Sequence, residues 1–172
     1  DTSRTGSRVL SIHAVVATTI TVSPGAAGFE TFLYLDTTAY NSGYFSGQLV
    51  TFDGSLKCGT FLRANHNGAD DTGEWVFERH PAIRNLKNTN AASTAENGGV
   101  MLVGPYRNIW AVNPIIDTVE RTNTGAASDR GACCGFSASG FTGQCVILEP
   151  SIARTKVVNP ATDSDADGIK CF

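Results

Sequence analysis

The chain has 172 residues, with 13 basic and 16 acidic side chains and a formal net charge of -3. No overall positive field is therefore available to hold a polyanion. Charged residues make up only 17% and apolar residues 41%, which excludes a coiled coil and argues against wholesale disorder. That length is one domain's worth of material, and residues 1–172 read as a single domain without a linker.

From Leu10 to Val22 the residues Leu10, Ile12, Ala14, Val16, Thr18, Ile20 and Val22 share one parity. A period of two predicts one long strand with a buried face. Ser23-Pro24-Gly25 closes it. Phe29 to Tyr34, ending near Asp36, has large apolar residues on both parities, which predicts a strand buried on both faces. Tyr40, Tyr44 and Phe45, beside Asn41, Ser42 and Gly43, read as an aromatic loop.

Short strands are expected over 47–52, 58–63, 74–78, 100–103, 108–112, 115–119, 144–148 and 152–158. Asp53-Gly54 and Asn67-Gly68 read as hairpin turns. Pro81 to Leu86 predicts a helical turn or two, as does Ala91 to Glu96. Segments 87–99 and 121–144 read as loops of small polar residues, and no period of 20 to 50 residues stands out. Eight or more short strands with Gly and Pro punctuation point to an all-β fold, an antiparallel β-sandwich of jelly-roll type.

Asp163-Ser164-Asp165-Ala166-Asp167-Gly168 matches the opening of a calcium loop. Alternate carboxylates converge on a hard cation when the backbone loops, and Gly allows the bend. Asp163, Asp165 and Asp167 are thus candidate Ca2+ ligands, completed by other loops or a neighbouring chain; the plain alternative is a solvated acidic tail. Asn65 to Asp71, with Glu74, Glu78 and His80, is a second polar cluster, but its spacing fits no zinc pattern and a hairpin loop explains it.

Five cysteines, Cys58, Cys133, Cys134, Cys145 and Cys171, lack paired Cys-x-x-Cys spacing and read as buried thiols or one inter-strand disulfide. Residues 135–140 carry serine where the Gly-x-Ser-x-Gly elbow needs its second glycine, and no phosphate loop occurs. No catalytic residue is assigned, and the chain is expected not to be an enzyme. Tyr40, Tyr44 and Phe45, together with Tyr106, Arg107 and Trp110, are candidate interface or ligand residues, since Tyr, Trp and Arg dominate interface energetics. The plain alternative has them capping the core.

These features lead to an expectation of a structural, self-assembling protein, a virion coat-like subunit or surface projection whose partners are copies of itself. The competing expectation is a calcium-assisted module binding a glycan or host receptor at a virion or cell surface. No membrane-spanning segment, signal peptide or nucleic-acid patch is expected.

Overall fold

A computed structural model of the chain describes residues 7–11, 16–22, 29–36, 42–46, 49–65, 73–78, 81–88, 97–123, 133–158 and 165–172. Among them every regular element is a strand, and the strands come in five passes of three. The first is β1 (Ser7–Ser11), β2 (Thr18–Thr21) and β3 (Phe29–Asp36); the second is β4 (Ser42–Ser46), β5 (Val50–Asp53) and β6 (Cys58–Asn65). The third is β7 (Glu74–Glu78), β8 (Ala82–Asn88) and β9 (Asn97–Val103). The fourth is β10 (Asn108–Val112), β11 (Ile115–Thr122) and β12 (Cys133–Ser139), and the fifth is β13 (Gln144–Leu148), β14 (Ser151–Val158) and β15 (Ala166–Cys171).

Corresponding strands of successive passes pair in parallel and build three five-stranded sheets, β1-β4-β7-β10-β13, β2-β5-β8-β11-β14 and β3-β6-β9-β12-β15. The fold is a parallel β-solenoid, which overturns the antiparallel jelly-roll sandwich. Asp53-Gly54 shows the difference. It makes no hairpin, because β5 pairs with β2 and β8 whereas β6 pairs with β3 and β9. The turn carries the chain from the second sheet to the third.

A repeat exists in space although its length in sequence drifts. One pass advances from Phe29 to Cys58, and another from Leu62 to Val100, a step nine residues longer. The expectation of no 20- to 50-residue period is corrected accordingly. The parity run from Leu10 to Val22 also breaks: β1 ends at Ser11, and β2 begins at Thr18 in a different sheet. β3 is open on one side. It is an outer strand of its sheet, with Phe32 44% and Tyr34 53% exposed, so it is not buried on both faces.

Inward side chains stack from pass to pass. In the second sheet Ile20, Phe52, Ile83, Ile116 and Ile152 lie in register. Aromatic rings bridge the sheets, with Phe45–Phe61 centroids 5.8 Å apart, Phe52–Phe61 4.8 Å and Phe77–Phe136 5.9 Å. Burying such side chains in stacked layers is the main stabilising term for a repeat array.

Pro81 to Leu86 is strand rather than helix, and the reason is local. Asn85, Thr118 and Arg154 have φ of 55°, 60° and 54°, and the flanking registers align all three. A single left-handed residue resets the in-and-out alternation. Inward residues then fall three apart, as Ile83 and Leu86 or Ile116 and Val119 do. That spacing imitates a helical turn.

Outside the second sheet the charges alternate. Arg84 donates to Asp53 across 3.0 Å, Lys87 meets Glu120 at 2.6 Å, and Arg154 donates to Asp117. Burial pushes the Asp53 carboxyl up, but hydrogen bonds from the Ser55 N–H and Asn85 and the Arg84 charge outweigh it. Its pKa stands below the ordinary 3.8. The unfolded chain therefore binds this proton more readily, so the stability contributed is complete above 3.8 and lost as pH falls through the lower folded value. Thermal midpoints measured from neutral pH down into that range are expected to fall less steeply for Asp53→Asn than for the unaltered chain. Parallel curves would contradict the assignment.

Candidate functional site

Strands of the first sheet keep strict alternation. Phe45, Trp75, Phe77, Ile109 and Ala111 enter the core, which leaves Tyr44, Glu74, Val76, Glu78, Asn108, Trp110, Val112, Val146 and Leu148 on the outer face. The registers place Tyr44 beside Val76, Val76 beside Trp110, and Trp110 beside Val146. Paired strands lie about 4.8 Å apart, so Tyr44 and Trp110 stand roughly 10 Å apart with Val76 between them. Trp110 is 38% exposed. Val112 pairs with Leu148, and both are exposed, as is Ile115 just beyond the corner.

Polar groups run along both flanks of this column. On one side Asn108 Nδ2 donates to Glu74 Oε1 at 2.7 Å, and Asn108 Oδ1 accepts from the Gln144 backbone N–H at 3.2 Å. On the other, the Tyr44 hydroxyl donates to Glu78 Oε2. The result is an apolar, aromatic strip along the solenoid axis, edged by carboxylates and amides that are already hydrogen-bonded and so held in place.

Glu74 and Glu78 are tied to different neighbours, Asn108 on β10 and Tyr44 on β4. Four residues of strand separate their Cα atoms by about 13 Å.

Of the residues singled out in the sequence, Tyr44 and Trp110 share this column. Segment 42–46, expected as a loop, is β4. Phe45 is buried in the core, and so is Tyr106, whose hydroxyl donates to the Ala64 carbonyl at 3.3 Å and whose ring stands edge-on to Trp75. Arg107 is exposed at the corner leading into β10, with its backbone N–H on the Gly73 carbonyl. Tyr40 lies outside the described residues, as do His66, Asp70, Asp71 and His80.

Sequence reasoning passed over Val76 and Val146. The signal was present in Glu74-Trp75-Val76-Phe77-Glu78, where strict alternation sends Trp75 and Phe77 inward and Val76 outward between two acids.

The acidic segment is described from Asp165 onward. Gly168 lies within β15, so the backbone there is extended rather than bent. Asp165 and Asp167 each lie 4.0 Å from Lys170 Nζ, and Asp163 is outside the described residues. Among the described residues no three His, Cys, Asp or Glu side chains cluster to hold a metal.

Cys58, Cys133 and Cys134 are buried thiols that donate to the carbonyls of Thr60, Val119 and Phe136. Burial pushes the Cys58 thiol up to about 11. Burial, with Cys171 alongside, pushes Cys145 up to about 12.

No protein-family model, no curated protein and no solved structure matches the chain. Its class is defined by its own geometry, a parallel β-solenoid with an aromatic, polar-edged outer face on one sheet. Among the described residues no helix is long and apolar enough to cross a membrane.

Proposed function

We propose that the chain is a glycan-binding β-solenoid whose first sheet takes a linear saccharide laid along the Tyr44–Val76–Trp110–Val146 column. The observation that carries this reading is the alignment of two outward aromatics in one column, flanked by Glu74, Asn108 and Gln144 on one side and Glu78 on the other. Aromatic faces take the apolar side of a sugar ring at low entropic cost, while carboxylates and amides accept and donate to hydroxyls. Parallel strands repeat these groups at a fixed spacing, which matches a polymer better than a single sugar.

A glycan array probed with the purified chain tests the reading, followed by titration calorimetry on the best binder. Trp110→Ala is expected to weaken binding about thirtyfold, or about 2 kcal/mol, while the circular dichroism spectrum is unchanged because Trp110 packs outside the core. Silence across the array, or equal binding by the variant, would overturn it.

Self-assembly is a second reading, favoured by the exposed Val112, Leu148 and Ile115 beside the same column. The solenoid corrects the jelly-roll fold that accompanied the coat-like expectation, and self-assembly itself rests here on that exposed face. Association of copies through this face instead predicts a concentration-dependent oligomer in sedimentation that Leu148→Glu disperses.

A further inference from the structure

The fifth pass carries two thiols that face each other across the interior. Cys145 follows Ile109 in an inward column of the first sheet, and Cys171 follows Ala138 in an inward column of the third. Ile109 and Ala138 are fully buried core residues. The two Sγ atoms stand 3.6 Å apart, although 26 residues separate them in sequence. Cys145 is half-buried and Cys171 exposed, so a small reagent reaches one thiol and the protein presents the other behind it.

Earlier passes join the first and third sheets through rings, Phe45 to Phe61 and Phe77 to Phe136. β13 and β15 contain no aromatic residue, and both are outer strands of their sheets. The cysteines end two other inward columns, Trp75–Ile109–Cys145 in the first sheet and Leu102–Ala138–Cys171 in the third, and meet where no ring joins the two sheets. An outer repeat has one neighbour only and is the first to open.

We propose that Cys145 and Cys171 are a disulfide-forming pair that staples the fifth pass, with a low-molecular-weight disulfide as oxidant. The Cys171 thiolate attacks that disulfide, forming a mixed disulfide and releasing one small thiol. The Cys145 thiolate then attacks the Cys171 sulfur, which forms the Cys145–Cys171 bond and expels the second small thiol. Two protein thiols lose two protons and two electrons, which the small disulfide takes up to become two thiols. The bond closes the intervening chain into a loop and removes freedom from the unfolded state.

The test incubates the purified chain with oxidised or reduced glutathione and maps it by mass spectrometry after non-reducing chymotrypsin digestion. Cleavage after Phe136 and Phe141 separates Cys145 from Cys133 and Cys134. The expected product is a linked peptide holding Cys145 and Cys171, two hydrogens lighter than its parts and lost on reduction. The thermal midpoint of the oxidised chain is expected to rise by roughly 5–15 °C over the reduced one. Cys171→Ser abolishes both effects, while Cys145→Ser leaves Cys171 carrying glutathione. Free thiols at both positions after oxidation, a lasting mixed disulfide on Cys171 of the unaltered chain, or a link between two copies through Cys171 would each overturn the proposal.

Discussion

Gly99→Val is expected to destabilise the chain by about 3 kcal/mol, the upper end of ordinary overpacking, and to lower its thermal midpoint by roughly 6–12 °C. A Cβ on Gly99 falls 2.7 Å from the Gly135 carbonyl oxygen and 2.7 Å from Ile116 Cδ1. The first obstacle is backbone held in the β12 ladder, which cannot yield without breaking register. Ile116 is the softer obstacle. In the double variant with Ile116→Ala the cost is expected to be less than the sum of the two single costs, because the added methyls fill part of the vacated space. Urea unfolding followed by circular dichroism measures both. An unchanged midpoint for Gly99→Val would mean that the second and third sheets do not approach as closely as described.

Phe77→Ala is expected to cost about 3–5 kcal/mol, a large part of the roughly 5–15 kcal/mol that holds a typical domain folded. Phe77 lies in the middle pass and is fully buried, with ring centroids 6.1 Å from Phe45, 5.8 Å from Trp75 and 5.9 Å from Phe136. Its removal leaves a cavity walled by rings of two sheets, which cannot collapse without shifting both. Phe32→Ala supplies the comparison. That ring also touches Phe52 and Phe61, but it sits on an outer strand and is nearly half exposed, so less apolar area is lost. Denaturation midpoints of the two variants should be well separated, with Phe77→Ala the lower. Equal costs would contradict the placement of the core.

The two aromatics of the proposed glycan face were both legible as candidates, yet only as members of separate segments. In the sequence Tyr44 reads as loop and Trp110 as strand, with nothing local to join them. Pairing of β4 with β7 and of β7 with β10 puts them in one column. Phe45 and Tyr106 carried the same residue-type signal and lie in the core, because parity within β4 and the corner before β10 turn them inward. Residue type nominates a binding side chain, and direction decides it.

Strands Glu74–Glu78, Asn108–Val112 and Gln144–Leu148 stand where alternation placed them, since a period of two is a property of the local chain. β12 and β15 read as loop and acidic tail in the sequence, because Gly135, Ser137 and Gly168 dilute the apolar signal; the two glycines leave room for Ile152, which reaches across from the second sheet. A faint repeat was also present in Pro81-Ala82-Ile83, Pro114-Ile115-Ile116 and Pro150-Ser151-Ile152, at unequal intervals that hide it from a fixed-period search. Each marks the entry to a strand of the second sheet. What the chain determined by itself was its β character and the inward face of most strands, for both follow from neighbours two residues away. Whether those strands would pair antiparallel in a sandwich or parallel in a coil was decided only in three dimensions. Gly and Pro turns serve hairpins and solenoid corners alike, and the choice lies in contacts about thirty residues distant, where Ile83 meets Ile116 and Ile116 meets Ile152.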